Sequence, residues 1–303
     1  MAVQNSLQEQ KKKTGITAYL SADAVKSRIN QVIGGAEGQK FIASIVSAVS
    51  VNPTLKECEN GSILNCALMG HSLKLSPSPQ LGQFYMMPFK DKKRGITNAS
   101  FVIGYKGYIQ LAIRSGQYKK LNVLPIKKGE LIRYDPLSEA IEVKLIEDEA
   151  ARENAPTMGY YAMFEYVNGF RKTLYWSKEK MLAHADRYAP AFSAKAYEKI
   201  LKGEIPDKDM WKFSSFWYKD FDAMGCKTML RQLLSKWGVL SIEMQNAFEA
   251  DGNTINDDGS INYVEMEELE TEAEEAAPIE TTATETTNTE TDEPTDAASA
   301  LFG

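Results

Sequence analysis

The stretch from Gln83 to Gly116 restricts the fold more than any other. Phe84-Tyr85-Met86-Met87-Pro88-Phe89 and Ala99-Ser100-Phe101-Val102-Ile103 are two runs rich in aromatic and apolar side chains. Between them lies Lys90-Asp91-Lys92-Lys93-Arg94-Gly95, four cations and one anion. Two such runs around a polar break predict a long β-hairpin with a cationic tip. Gly104-Tyr105-Lys106-Gly107 then turns the chain into a helix that Gly116 can end. Cations beside flat rings are what a groove for single-stranded nucleic acid needs, phosphates on one and bases on the other. The same letters also describe a surface hairpin with a solvated tip.

The net charge of −6 averages two unlike parts. Of the 41 Asp and Glu, 17 lie between Phe248 and Gly303, where there is no Lys or Arg. The 24 acids that remain face all 35 cations, so the body carries +11. A basic body suggests a polyanionic partner. Cys58, Cys66 and Cys226 are odd in number and widely spaced, as expected of reduced thiols in a cytosol. The longest apolar run, Phe41 to Val51, falls well short of the ~20 residues a membrane span needs.

Periodicity predicts an α+β fold: helices packed with β-hairpins or a small antiparallel sheet in one core. Residues 1–31 are expected to be a flexible arm, 32–249 the core, and 250–303 an acidic, largely disordered tail. Phe41, Ile45 and Val49 mark a helix over 39–50, and Ile63, Leu64, Ala67 and Leu68 mark the next. Strands are expected over 119–127, 131–134, 140–146, 158–167 and 170–176, the last two joined by Asn168-Gly169. Ser177 is placed to cap a helix. From Trp211 to Trp237 an interrupted helix steps Lys219, Ala223, Lys227 and Arg231 by four, setting three cations on one face. Gly225 in mid-helix implies close packing or a kink.

Several segments together resemble the RecT family of phage single-strand annealing proteins, also called recombinases. They are Asn52-Pro53-Thr54-Leu55, Cys58, Ser62 to Leu75, Gly82 to Phe89, Gly104-Tyr105-Lys106-Gly107, and Met224 to Arg231. The resemblance spans about 39–246. It implies an ATP-independent protein, not an enzyme, that binds single-stranded DNA and the annealing duplex. It also implies a homo-oligomeric ring or filament, a partner exonuclease, a host single-strand-binding protein, and the cytosol of a bacterial host. No cofactor, metal or membrane is implied. Lys90, Lys92, Lys93, Arg94, Lys106, Lys227 and Arg231 are the candidates for phosphate contact. Tyr105 joins them in the DNA-binding set, and Tyr85 and Phe101 are the candidates for supporting bases. Tyr85 and Phe101 fit a hairpin core equally well.

Other chemistry is present in outline only. Gly34 to Lys40 has the glycines of a phosphate loop, but Phe41 stands where Ser or Thr is required. Thr254 to Glu265 has the spacing of a calcium loop, with Thr254 where the first aspartate belongs. Asp135 with Glu142-Val143-Lys144 has the letters of a metal-dependent PD-(D/E)xK nuclease, an alternative reading of function. A second alternative is an interaction scaffold in which the acidic tail binds a basic partner. His71 and His184 have no Cys or His at ligand spacing and are expected to be partly buried or surface histidines, not metal ligands.

Overall fold

The computed structural model describes residues 15–92, 94–189, 191–239 and 241–264. Lys93, the first 14 residues and residues 265–303, with the Leu301-Phe302-Gly303 tip, lie outside them.

Three helices lead the chain: α1 (Ile16–Ser21), α2 (Asp23–Ile33) and α3 (Gly35–Val51). Leu20 and Ile29 are fully buried, so the folded body begins near Ile16, inside the expected arm. The arm's sequence is polar on average, but single apolar residues at helical spacing anchor it to α3. After a 3-10 turn over Pro53–Glu57 comes α4 (Asn60–Ser72). It buries Ile63, Leu64, Cys66 and Ala67 against the first sheet. Ser62 does not cap it; its hydroxyl accepts from the Ala99 amide at 2.8 Å and so ties α4 to a strand.

That strand belongs to the expected hairpin. β1 (Phe84–Asp91) and β2 (Ile96–Ile103) pair antiparallel from Phe84↔Ile103 to Asp91↔Ile96. Next are α5 (Tyr105–Arg114), β3 (Tyr118–Lys127), and a separate hairpin of β4 (Leu131–Asp135) and β5 (Ala140–Val143). The short α6 (Glu149–Asn154) precedes β6 (Thr157–Tyr166) and β7 (Arg171–Ser177), which turn at Asn168-Gly169 with Gly169 at φ +88°. The second sheet has the order β3-β6-β7, all antiparallel. Ser177 caps α7 (Lys178–Tyr188) through the Lys180 amide.

The expected long helix is three pieces: a 3-10 turn at Asp207–Lys212, α9 (Phe216–Lys219) and α10 (Phe221–Trp237), preceded by α8 (Ala194–Leu201). Asp220 causes the break. Its backbone is non-helical (φ −150°, ψ 78°) and its carboxylate accepts from the Ala223 amide at 2.9 Å, starting α10 afresh. Lys219 therefore does not share a helix face with Lys227 and Arg231. Gly225 answers to packing: a Cβ there would sit 2.7 Å from the Tyr160 ring, so only glycine lets α10 lie on β6.

The chain closes with α11 (Ile242–Ala250), β8 (Asn253–Ile255) and β9 (Ile261–Asn262). β8 pairs with β2, giving the first sheet the order β1-β2-β8-β9. The core thus runs past residue 249 to Asn262, although its last residues are rich in Asp and Asn. Backbone pairing to an open sheet edge, with Thr254 and Ile255 buried, outweighs that polar composition. The part of the calcium-like segment within the described residues folds as this β8–β9 hairpin, in which Thr254 pairs with Asn262, and Glu265 lies outside them. An EF-hand would place the loop between two helices.

Candidate nucleic-acid interface

The glycine-flanked segment before α5 is built by close backbone approach. A Cβ on Gly104 would lie 2.1 Å from the Gly82 carbonyl oxygen, and one on Gly107 would lie 2.0 Å from that of Gln83. Neither position tolerates a side chain while the Gly104 amide donates to the Gln83 carbonyl at 2.8 Å. The first turn of α5 is thereby locked to the entry of β1. Lys106 points outward, and Tyr105 is half-buried. Burial, and then the neighbouring Cys226, raises the Tyr105 phenol above its ordinary value, so it stays neutral.

Tyr85 on β1 alternates with buried Phe84 and Met86 and is 38 % exposed. Its ring lies 6.5 Å from that of Phe216, tilted by 33°, and Phe216 is 52 % exposed. The Lys219 ammonium sits 5.7 Å from the Phe216 ring centre. On the other side, the Tyr85 hydroxyl and the Lys106 stem converge on Gly82, where a Cβ would meet them at 3.1 and 3.7 Å. Two open rings are thus bracketed by two exposed lysines. Among the described residues neither Lys106 nor Lys219 has a carboxylate in ion-pair range. Rings of this kind hold bases by stacking, and the cations beside them meet phosphates.

At the hairpin tip Lys90, Lys92 and Arg94 are exposed. Asp91 is buried and shapes the turn: its carboxylate accepts from the Arg94 amide at 2.9 Å and lies 3.7 Å from the Arg94 guanidinium. Lys90, Lys92 and Arg94 thus form a cationic edge beside the Asp91 turn, and Lys93 lies outside the described residues.

Three of the expected site residues are engaged elsewhere. Phe101 is fully buried, 4.8 Å from Phe84, and belongs to the hairpin core. Arg231 donates to Asp251 at 3.1 Å, and Lys227 stands 4.0 Å from the same carboxylate with its side chain 16 % exposed. Asp251, just after α11, also accepts from the Ile103 amide at 2.9 Å and the Tyr108 hydroxyl at 2.6 Å. One carboxylate joins the hairpin, α5, α10 and the end of α11. Helical spacing cannot reveal an acid twenty residues away in sequence that folds back onto these cations.

Phe216 was not among the sequence candidates, and Lys219 was read only as part of a longer helix. The available signal was Asp220 three residues before Ala223, a capping pattern that frees Phe216 to Lys219 from α10. Other polar centres are structural. Asp222 accepts from the Thr157 and Tyr160 hydroxyls at 2.5 and 2.6 Å, with the Lys127 ammonium at 3.6 Å. Burial would raise its pKa, but those hydrogen bonds and the nearby Lys178 and Lys127 charges win and lower it. Burial, then the charges of Asp222 and Asp220, pushes the Cys226 thiol up to about 12, which leaves it un-ionised. In the nuclease-like segment Asp135 is taken up by its own turn, accepting from the Leu137 amide and the Ser138 hydroxyl. Among the described residues no three His, Cys, Asp or Glu gather where they could hold a metal. No described helix is long and apolar enough to cross a membrane.

The RecT family model matches residues 39–276, most of the chain. The chain belongs to the RecT family. It is a DNA-recombination, strand-annealing protein, and DNA binding and oligomerisation go with that membership. It is 35 % identical over 253 residues to the uncharacterized protein YqaK of Bacillus subtilis (strain 168), covering 81 % of this chain and 78 % of that one. It is 23 % identical over 248 residues to Protein RecT of Escherichia coli (strain K12), covering 79 % and 81 %. The matched span contains both the glycine-locked turn and the Tyr85–Phe216 pair.

Proposed function

We propose that this RecT-family chain anneals complementary DNA strands without ATP, holding one strand by its phosphates while the base edges stay free. The observation that carries this reading is the Tyr85–Phe216 ring pair between Lys106 and Lys219. Lysines there release counterions on binding phosphate, which gives affinity independent of sequence. Stacking on the rings is tolerant of base identity. A second strand can then test pairing, and correct pairing supplies ~1.4 kcal/mol per stacking step, so no nucleotide hydrolysis is required. Lys90, Lys92, Lys93 and Arg94 extend the phosphate track along the hairpin. Lys227 and Arg231 take a positioning role through Asp251. Repeating subunits in a ring or filament would set these tracks end to end. An exonuclease that exposes the strand and a host single-strand-binding protein are the partners this role calls for, and the acidic tail offers them a surface.

The test is annealing of two complementary oligonucleotides, one labelled, at modest ionic strength with no nucleotide present. The expected result is duplex formation well above the spontaneous rate. An unchanged rate with folded protein removes the proposal. Cleavage of the strands with Mg²⁺, lost in Glu142→Ala, would favour the nuclease reading instead.

A further inference from the structure

A second row of rings lies on α7. Trp176, the last residue but one of β7, meets His184 edge to face at 5.3 Å, and His184 lies against Tyr188 at 4.8 Å. His184 and Tyr188 are four residues apart and share a helix face. The Lys180 ammonium stands 4.6 Å over the Trp176 ring, and the Arg187 guanidinium is 5.2 Å from Tyr188. Lys180 and Arg187 are both exposed, and seven residues separate them by about 10.5 Å along the helix. That spans roughly the run of phosphates flanking one or two nucleotides.

Met181 and Ala185, both fully buried, anchor α7 to the core beside this face. Tyr188 is 48 % exposed. The charges that act on His184 are all positive. Burial, then Arg231, Lys236 and Lys180, lowers the His184 pKa, so the imidazole is neutral at pH 7. Of the nearby acids, Asp251 pairs with Arg231, and Asp186 is held by the Ala194 amide at 2.6 Å and keeps its charge, as does exposed Glu179. Among the described residues Lys180, Arg187 and Lys236 have no carboxylate in ion-pair range. A ladder of flat rings edged with cations that form no ion pair among the described residues matches an unpaired base and its phosphates.

We propose that the Lys180–His184–Arg187–Tyr188 face of α7 is a second single-strand contact, stacking one unpaired base on Tyr188 and holding flanking phosphates on Lys180 and Arg187. It rests on the reading of this chain as a single-strand binder, and it is separate from the Tyr85–Phe216 pair.

The experiment uses the full chain and a labelled oligothymidine, with affinity measured across a salt series. Lys180→Ala/Arg187→Ala should flatten the slope of log affinity against log salt by about 1.4, at ~0.7 for each phosphate lost. Tyr188→Leu should weaken binding by roughly 5- to 150-fold with the slope kept. Lys180→Arg/Arg187→Lys, which keeps both charges, should restore the slope and guards against a folding artefact. Wild-type slope and affinity in both loss variants would overturn the proposal while leaving the annealing function standing. Failure of the wild-type chain to bind the oligonucleotide at all would remove the annealing function itself. A loss in these variants of affinity for a peptide of residues 265–303, with DNA binding intact, would make the face a docking site for the acidic tail and overturn the proposal.

Discussion

Arg231→Ala should change the stability of this protein and leave the salt dependence of DNA binding almost untouched. In the wild-type chain Arg231 donates to Asp251 at 3.1 Å, and Asp251 is 7 % exposed on its side chain. A hydrogen bond to a charged group contributes about 1.5–3 kcal/mol. Arg231 is itself 43 % exposed, so solvent screening reduces that to about 1–2 kcal/mol. For a body of this size such a loss lowers Tm by about 2–8 °C. Asp251→Ala should be worse, because it strands the fully buried Tyr108 hydroxyl and the Ile103 amide together. At about 1–3 kcal/mol for each orphaned donor, the loss is about 2–6 kcal/mol, a large share of a typical folding stability. Thermal unfolding and a salt series of oligonucleotide binding, measured on the same samples, separate the two roles. A salt slope lowered by ~0.7 with Tm unchanged would make Arg231 a phosphate ligand and refute this assignment.

Tyr85→Ala and Phe216→Ala should each weaken single-strand affinity by about 1–3 kcal/mol at constant salt slope, whereas Lys106→Gln and Lys219→Gln should each lower the slope by ~0.7; fluorescence anisotropy across a salt series reads both. Gly107→Ala forces a Cβ to within 2.0 Å of the Gln83 carbonyl oxygen, so it should lower stability by about 1–3 kcal/mol and annealing with it, seen by calorimetry and the oligonucleotide assay. Glu130 is fully buried, and although burial raises its pKa, hydrogen bonds from Arg152 and the Lys127 and Ile146 amides lower it overall. Its folded pKa is below the unfolded one, so its contribution is present at neutral pH and is lost as pH falls through the carboxylate range. Glu130→Gln should therefore flatten the decline of Tm between pH 6 and pH 3, roughly the span of ordinary carboxylate titration; an unaltered decline would contradict the assignment.

Much of the fold was legible from short-range pattern. Alternation around the Lys90–Gly95 break marked β1 and β2, Asn168-Gly169 marked the β6–β7 turn, and Ser177 marked the start of α7. These follow from backbone sterics and near-neighbour packing, which act within a few residues. The glycines at 104 and 107 were visible as a motif, but their purpose, contact with the Gly82 and Gln83 carbonyls, was not. Leu20 and Ile29 sat in a polar segment whose average hid them.

The sequence by itself determined the basic body, the hairpins, the helical stripes and the kinship, because charge and periodicity are properties of neighbouring letters. Only the tertiary structure decided which cations stay open. Lys227 and Arg231 meet Asp251, while Lys106 and Lys219 meet no acid among the described residues, and no periodicity distinguishes the two pairs. It also buried Phe101, set Tyr85 beside Phe216 across more than a hundred residues, and drew β8 onto the edge of β2. The physical reason is that a site of this kind is made by long-range closure: the route of the chain determines which side chains end up as neighbours.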